Sequence, residues 1–147
     1  MTEEELAALD RQLVANEARR TYLYDDATGA RITKGSKVIG HPTIGIGFNL
    51  DAVDVPNDVI DLWYETLRNR LINAIFDALP WAQHLPSGPL RAVIDIGWNA
   101  GLHGLLAFHQ TLSALERGDM ETAALAVERS HLDVHRAARL AALIRSK

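Results

Sequence analysis

Asn16–Gly29 reads NEARRTYLYDDATG, and this stretch decides how the chain is organised. It begins at the end of an apolar helical stripe. Leu6, Leu9 and Leu13 recur at helical spacing, and Glu17 continues the same face one turn later. Thr2 followed by Glu5 forms a capping box, so the spacing predicts a helix starting near Glu3 and fading after Arg19. Thr21, Tyr22, Leu23 and Tyr24 then favour a strand, and DDATG favours a turn. Periodicity thus changes from helix to strand between Glu17 and Tyr24.

Downstream, KVIGHPTIGIGFNL (37–50) is rich in β-branched residues and glycine and is interrupted by Pro42. Two or three short antiparallel strands are expected from about Thr21 to Phe48. Strands so few cannot fold alone and need helices beside them. From Pro56 the pattern is helical. Val59, Leu62, Trp63, Leu67, Leu71, Ile75 and Leu79 trace one apolar stripe, which Pro80 ends. A helix of ~22 residues would span about 33 Å. LPSGP (85–89) separates it from a core-like helix near Leu90–Asn99, which AGLHG (100–104) breaks. Helices are expected over Phe108–Arg117, Met120–Arg129 and Val134–Arg145, with a turn at Gly118.

The predicted fold class is α+β. A small antiparallel β-lobe (19–55) is joined by a long helix (56–79) to a larger all-helical lobe (1–18 and 80–147), together a single domain. A cleft between lobes is a natural place for a ligand.

Composition narrows the function. The 147 residues include no cysteine, which excludes disulfides and thiolate metal sites. Hydrophobic residues at 48% with 23% charged fit a folded soluble protein. The net charge of −4 argues against nucleic acid as the main partner. Basic residues nevertheless gather at Arg19–Lys37 and from Arg129 onward. No apolar run is long enough to span a bilayer. The acidic, amphipathic beginning lacks the features of a secretory signal, so synthesis in the cytosol is expected. The six histidines show no HExxH, and neither a metal nor a cofactor is expected.

Two carboxyls stand out. A glutamate on an apolar face near a helix C-terminus has its charged form disfavoured by burial and by the helix dipole, which suits a general acid. The alternative is a salt-bridged glutamate at a fraying helix end. Asp26 follows nine positions later, and a returning strand would set its turn against the helix end. Two carboxyls from separate elements beside one cleft are what glycoside hydrolysis requires. Equally, Asp25 and Asp26 can simply build the turn. Thr43 could orient a water or be an ordinary strand residue. Gly45 and Gly47, alternating on a strand, would let a bulky ligand approach the backbone or would mark a bulge.

Glu17, eight residues, Asp26 and then TIGIG (43–47) resemble the phage-type lysozymes of glycoside hydrolase family 24, the T-even phage endolysin family. The order of elements along nearly the whole chain resembles that family as well. The resemblance implies a lysozyme-like fold. It also implies hydrolysis, with inversion, of the β-1,4 bond between N-acetylmuramic acid and N-acetylglucosamine in peptidoglycan. Glu17 would be the general acid, with Asp26 and Thr43 positioning the attacking water. HRAARLAAL (135–143) is similar to the family's segment whose arginine pairs with the catalytic glutamate, which gives Arg136 that role. Phe48 stands where the family commonly has histidine. Asn49 is a cleft candidate able to meet an acetamido group, or else a turn cap. GWNAGLHG (97–104) resembles a glycine-broken helix on the cleft floor and makes Asn99 a binding candidate.

The gap from Asp26 to Thr43 is longer than in short family members. The extra segment, roughly 30–41, brings Lys34 and His41 within possible reach of substrate. Trp63 and Trp98 are expected in the core. A monomer is expected, reaching the wall through a membrane lesion or as cargo of a phage or secretion apparatus. A lytic transglycosylase or chitinase is the rival enzyme, and a non-catalytic wall-glycan-binding module is the rival of another class.

Overall fold

The computed structural model describes residues 2–17 and 19–146; the side chains of Glu5, Asn16 and Glu17 lie outside the described residues. Among the described residues the fold is mixed α/β, about 62% helical, with six α-helices and a small three-stranded antiparallel sheet. In chain order the elements are α1 (Glu3–Glu17), β1 (Arg20–Asp25), β2 (Pro42–Gly45), β3 (Phe48–Asn49) and α2 (Asn57–Ala78). They continue with α3 (Ser87–Leu106), α4 (His109–Glu116), α5 (Met120–Glu128) and α6 (Val134–Arg145). A short 3-10 turn at Pro80–His84, which periodicity does not reveal, links α2 to α3. The chain divides into two compact units, one ending at Ile60 and the other beginning at Asp61.

In the first unit the strands lie in the order β1-β2-β3. β1 pairs with β2 through Tyr24↔Thr43 and Asp25↔Pro42, and β2 pairs with β3 through Thr43↔Asn49 and Ile44↔Phe48. TIGIG is therefore a hairpin rather than one strand. Gly45 and Gly47, at φ 68° and 67°, reverse the chain around Ile46, a left-handed backbone that glycine adopts without a Cβ clash. The 30–41 segment is ordered. Ile32 donates to the Leu23 carbonyl at 2.9 Å, and Arg31 bridges Tyr24, so the chain returns briefly beside β1. A turn between Thr33 and Ser36 then redirects it.

Leu6, Leu9 and Leu13 do not form a buried stripe. They are 48%, 37% and 46% exposed. The same holds for the first half of α2, where Val59, Leu62, Trp63 and Leu67 are exposed. Periodicity marks an apolar face without naming the element that covers it. The helices that bury Ile75 reach only the second half of α2.

The second unit holds the core. Ile75, Val93, Ile96, Leu105, Val127 and Leu140 are essentially inaccessible to solvent. Each such side chain contributes about 1.5–3 kcal/mol through burial. Gly97 lets α3 approach α2 closely, since a Cβ there would meet Ile75 Cδ1 at 3.1 Å. Gly101, at φ 72°, breaks α3 within AGLHG as the sequence suggests. Asp119 caps α5 by accepting from the Thr122 N–H at 3.0 Å. Asp133 caps α6 through the N–H groups of His135 and Arg136. Arg145 ties α6 to α5 by donating to both oxygens of Glu121 and to Glu128. Trp98, expected in the core, is 46% exposed instead, with its ring edge-on to Tyr64 at 5.4 Å. Among the described residues no helix is long and apolar enough to cross a membrane.

Candidate active site

The turn after β1 separates the two adjacent aspartates. Asp25 is 3% exposed and accepts three backbone hydrogen bonds, from Ile39 at 2.7 Å and from Ala27 and Gly40 at 3.0 Å each. It closes the turn and also anchors the far end of the 30–41 segment. The Ile39 N–H, helped by those of Gly40 and Ala27, holds its carboxyl below the ordinary carboxylate range against the opposing effect of burial.

Asp26 has different surroundings. Its Oδ1 accepts from the His41 N–H at 2.7 Å, and its Oδ2 lies 3.2 Å from His41 Nδ1. The side chain is 38% exposed. The His41 backbone N–H, then the His41 imidazole, hold the Asp26 carboxyl below its ordinary range, while burial and, less, Asp25 push the other way. Gly40 makes room for this arrangement. A Cβ there would collide with Asp26 Oδ1 and with Ala27.

Asp26, in the turn one residue past β1, follows the strand register onto the Thr43 side. Tyr24 lies opposite Thr43, and Asp25 lies opposite Pro42. One residue further, the Asp26 N–H donates to the His41 carbonyl at 3.1 Å. Side chains alternate between faces, so Asp26 shares the Thr43 side and Asp25 takes the other. Thr43 is 3% exposed, and its hydroxyl donates to the His41 carbonyl at 3.2 Å. With its proton committed there, Thr43 Oγ1 offers lone pairs. His41 thus contacts both residues, holding Asp26 through its N–H and ring and Thr43 through its carbonyl.

Glu17 is the last residue of α1, at the negative end of that helix, and two residues separate it from β1. Its side chain lies outside the described residues. The apolar surroundings expected from the leucine stripe are not provided by Leu6, Leu9 and Leu13, which are exposed.

The remaining candidates have local duties. The space beside Gly45 is filled by the chain's own Phe48, whose ring would lie 2.8 Å from a Cβ, so it is not open to a ligand. Asn49 Oδ1 accepts from the Asp51 N–H at 2.9 Å and caps the turn after β3. Asn99 is exposed on α3. Arg136 is occupied within the second unit, where its Nη2 donates to the carboxylate and the carbonyl of Asp95, while its Nε is buried without a hydrogen-bond partner among the described residues. Sequence reading missed Asp95 as that partner and Gly40 as the residue that seats Asp26. A Gly-His pair before Pro42 was the available signal for Gly40. Nothing in the local pattern marks Asp95.

No family model matches the chain, and no curated protein matches it significantly.

Proposed function

We propose that the chain is a peptidoglycan-degrading muramidase of the phage-lysozyme kind. The observation that carries this reading is that Asp26, in the turn after β1, and Thr43, on β2, both bond His41, which holds the aspartate ionised. In this reading the Glu17 carboxyl gives its proton to the glycosidic oxygen as the C1–O bond breaks. A water accepted by Asp26 and Thr43 adds to C1 from the opposite side of the ring. Its proton passes to Asp26, and the anomeric centre inverts. No cofactor takes part, and the chain acts on glycan strands as a monomer after release to the wall.

Asp25 supports the reading by accepting the Ala27, Ile39 and Gly40 N–H groups, so that Asp26 is held by His41 and stays 38% exposed. The test is a wall-turbidity assay of Glu17→Gln, Asp26→Asn and Thr43→Val. Clearing by the parent protein with loss of about a hundredfold or more in the Glu17 and Asp26 variants is expected. A folded Glu17→Gln variant with parental activity would remove the acid from the scheme. Arg136→Ala measures what the arginine contributes, and parental activity there would assign it to holding Asp95 alone.

A further inference from the structure

Two cavities in the second unit share a wall. One, of about 530 Å³, runs between α4 and α5 past Ser113, Arg117 and Thr122. The other, of about 410 Å³, opens at the start of α4 against Thr111 and His131. His109, Gln110, Ala126 and Arg129 line both, so the two form one groove. Among the described residues no aspartate or glutamate lines either cavity.

Hydrogen-bond donors line the groove at the start of α4. Phe108 precedes α4 and supplies no side-chain cap. The first amide to bond back is that of Leu112, which donates to the Phe108 carbonyl at 2.9 Å. The N–H groups of His109, Gln110 and Thr111 are therefore left without partners among the described residues, at the positive end of the helix. Independently, Thr111, which lines the cavity, is only 2% exposed, yet its hydroxyl has no hydrogen-bond partner among the described residues. Arg129 enters no ion pair among the described residues, unlike Arg136 and Arg145. Ser130 is already committed, donating to the Val127 carbonyl at 2.7 Å.

Three amides, a hydroxyl and a guanidinium exceed what the two oxygens of a carboxylate would use. They suit a tetrahedral oxyanion, with one oxygen on the helix amides and others turned to the arginine. We propose that the start of α4, with Thr111 and Arg129, is a phosphate-binding site, with the groove towards Arg117 continuing from it. The phosphate can be the free ion or a phosphodiester of an anionic polymer.

Amide chemical shifts of the full chain, titrated first with inorganic phosphate and then with a glycerol-phosphate oligomer at constant pH and ionic strength, test this. Saturable shifts centred on His109–Thr111 are expected. Thr111→Val and Arg129→Gln should each weaken binding about tenfold, with Thr111→Ser close to parental. Oligomer binding that is tighter, and weakened by Arg117→Gln, identifies a polymer; equal affinities identify the free ion, and in both cases the site stands. Shifts that do not saturate, affinity unchanged in both variants, or acetate binding as tightly as phosphate would overturn the proposal. Binding is read without turnover, so its failure leaves the muramidase reading untouched.

Discussion

Asp25 reaches across fourteen positions of sequence to accept the Ile39 N–H at 2.7 Å, and this contact closes the segment that separates Asp26 from Thr43. The neighbouring carboxyl, Asp26, bonds His41 instead. The two aspartates should therefore fail differently. Asp25→Asn is expected to lower the melting temperature of the first unit and to reduce activity only as far as it loosens the loop. Asp26→Asn should lower the melting temperature less than Asp25→Asn does and lose activity by about a hundredfold or more. Thermal unfolding and wall clearing on the same preparations check both. If Asp25→Asn is the inactive, fully stable variant, the assignment of the two is reversed.

Gly40→Ala tests how Asp26 is seated. The added methyl would collide with Asp26 Oδ1 and Ala27, so the carboxylate must move off the His41 N–H. The expected result is a fall in turnover with a displaced His41 amide resonance. An unshifted resonance would mean that the turn absorbs the methyl elsewhere.

Acid should destabilise the fold through these carboxyls. Asp25 and Asp26 have folded pKa values below the ordinary carboxylate value, as do Asp119, through Thr122, and Glu121, through Arg145. Between the folded and unfolded values the unfolded chain binds more protons. Their contribution is thus fully present above about pH 4–5 and is lost as pH falls through the folded values. Amide signals of Ile39, Gly40 and His41 should change first in the first unit. Stability that rises from pH 5 to pH 3 would contradict the assignment.

Gly45→Ala places an alanine at φ 68°, which costs about 1–2 kcal/mol, and it adds a clash with Phe48. In a Phe48→Ala background the clash disappears and the backbone cost remains. A double-mutant cycle by denaturant unfolding should therefore show positive coupling between the two positions. Additive effects would mean that the ring does not press on Gly45.

Much of the fold was legible. Helix α1 starts at Glu3 as expected, with the Glu5 half of the capping box outside the described residues, and the apolar stripe of α2 ended within a residue or two of Pro80. Gly101 and Gly118 punctuated the helices as read. Burial was less legible, because spacing reports which residues share a face and not what lies opposite it. Ile75 is fully covered, whereas Leu62 and Trp63 are exposed and Trp98, with the Tyr64 ring against it, stays half-exposed. Within the candidate site, motif spacing singles out Asp26 and Thr43 as candidates, and the fold ties both to His41. The roles of Asp25, Gly40 and His41 depend on contacts across the 30–41 segment, which no local pattern encodes. The hairpin at Gly45–Gly47 was misread as a strand because glycine at alternate positions imitates strand periodicity.

The most direct measurement is mass analysis of purified peptidoglycan after incubation with the protein. The account predicts muropeptides ending in reducing N-acetylmuramic acid, carrying one solvent oxygen when the digestion is run in isotopically labelled water, and none of these products with Glu17→Gln. Intact glycan strands, or products ending in anhydromuramic acid without solvent oxygen, would contradict it.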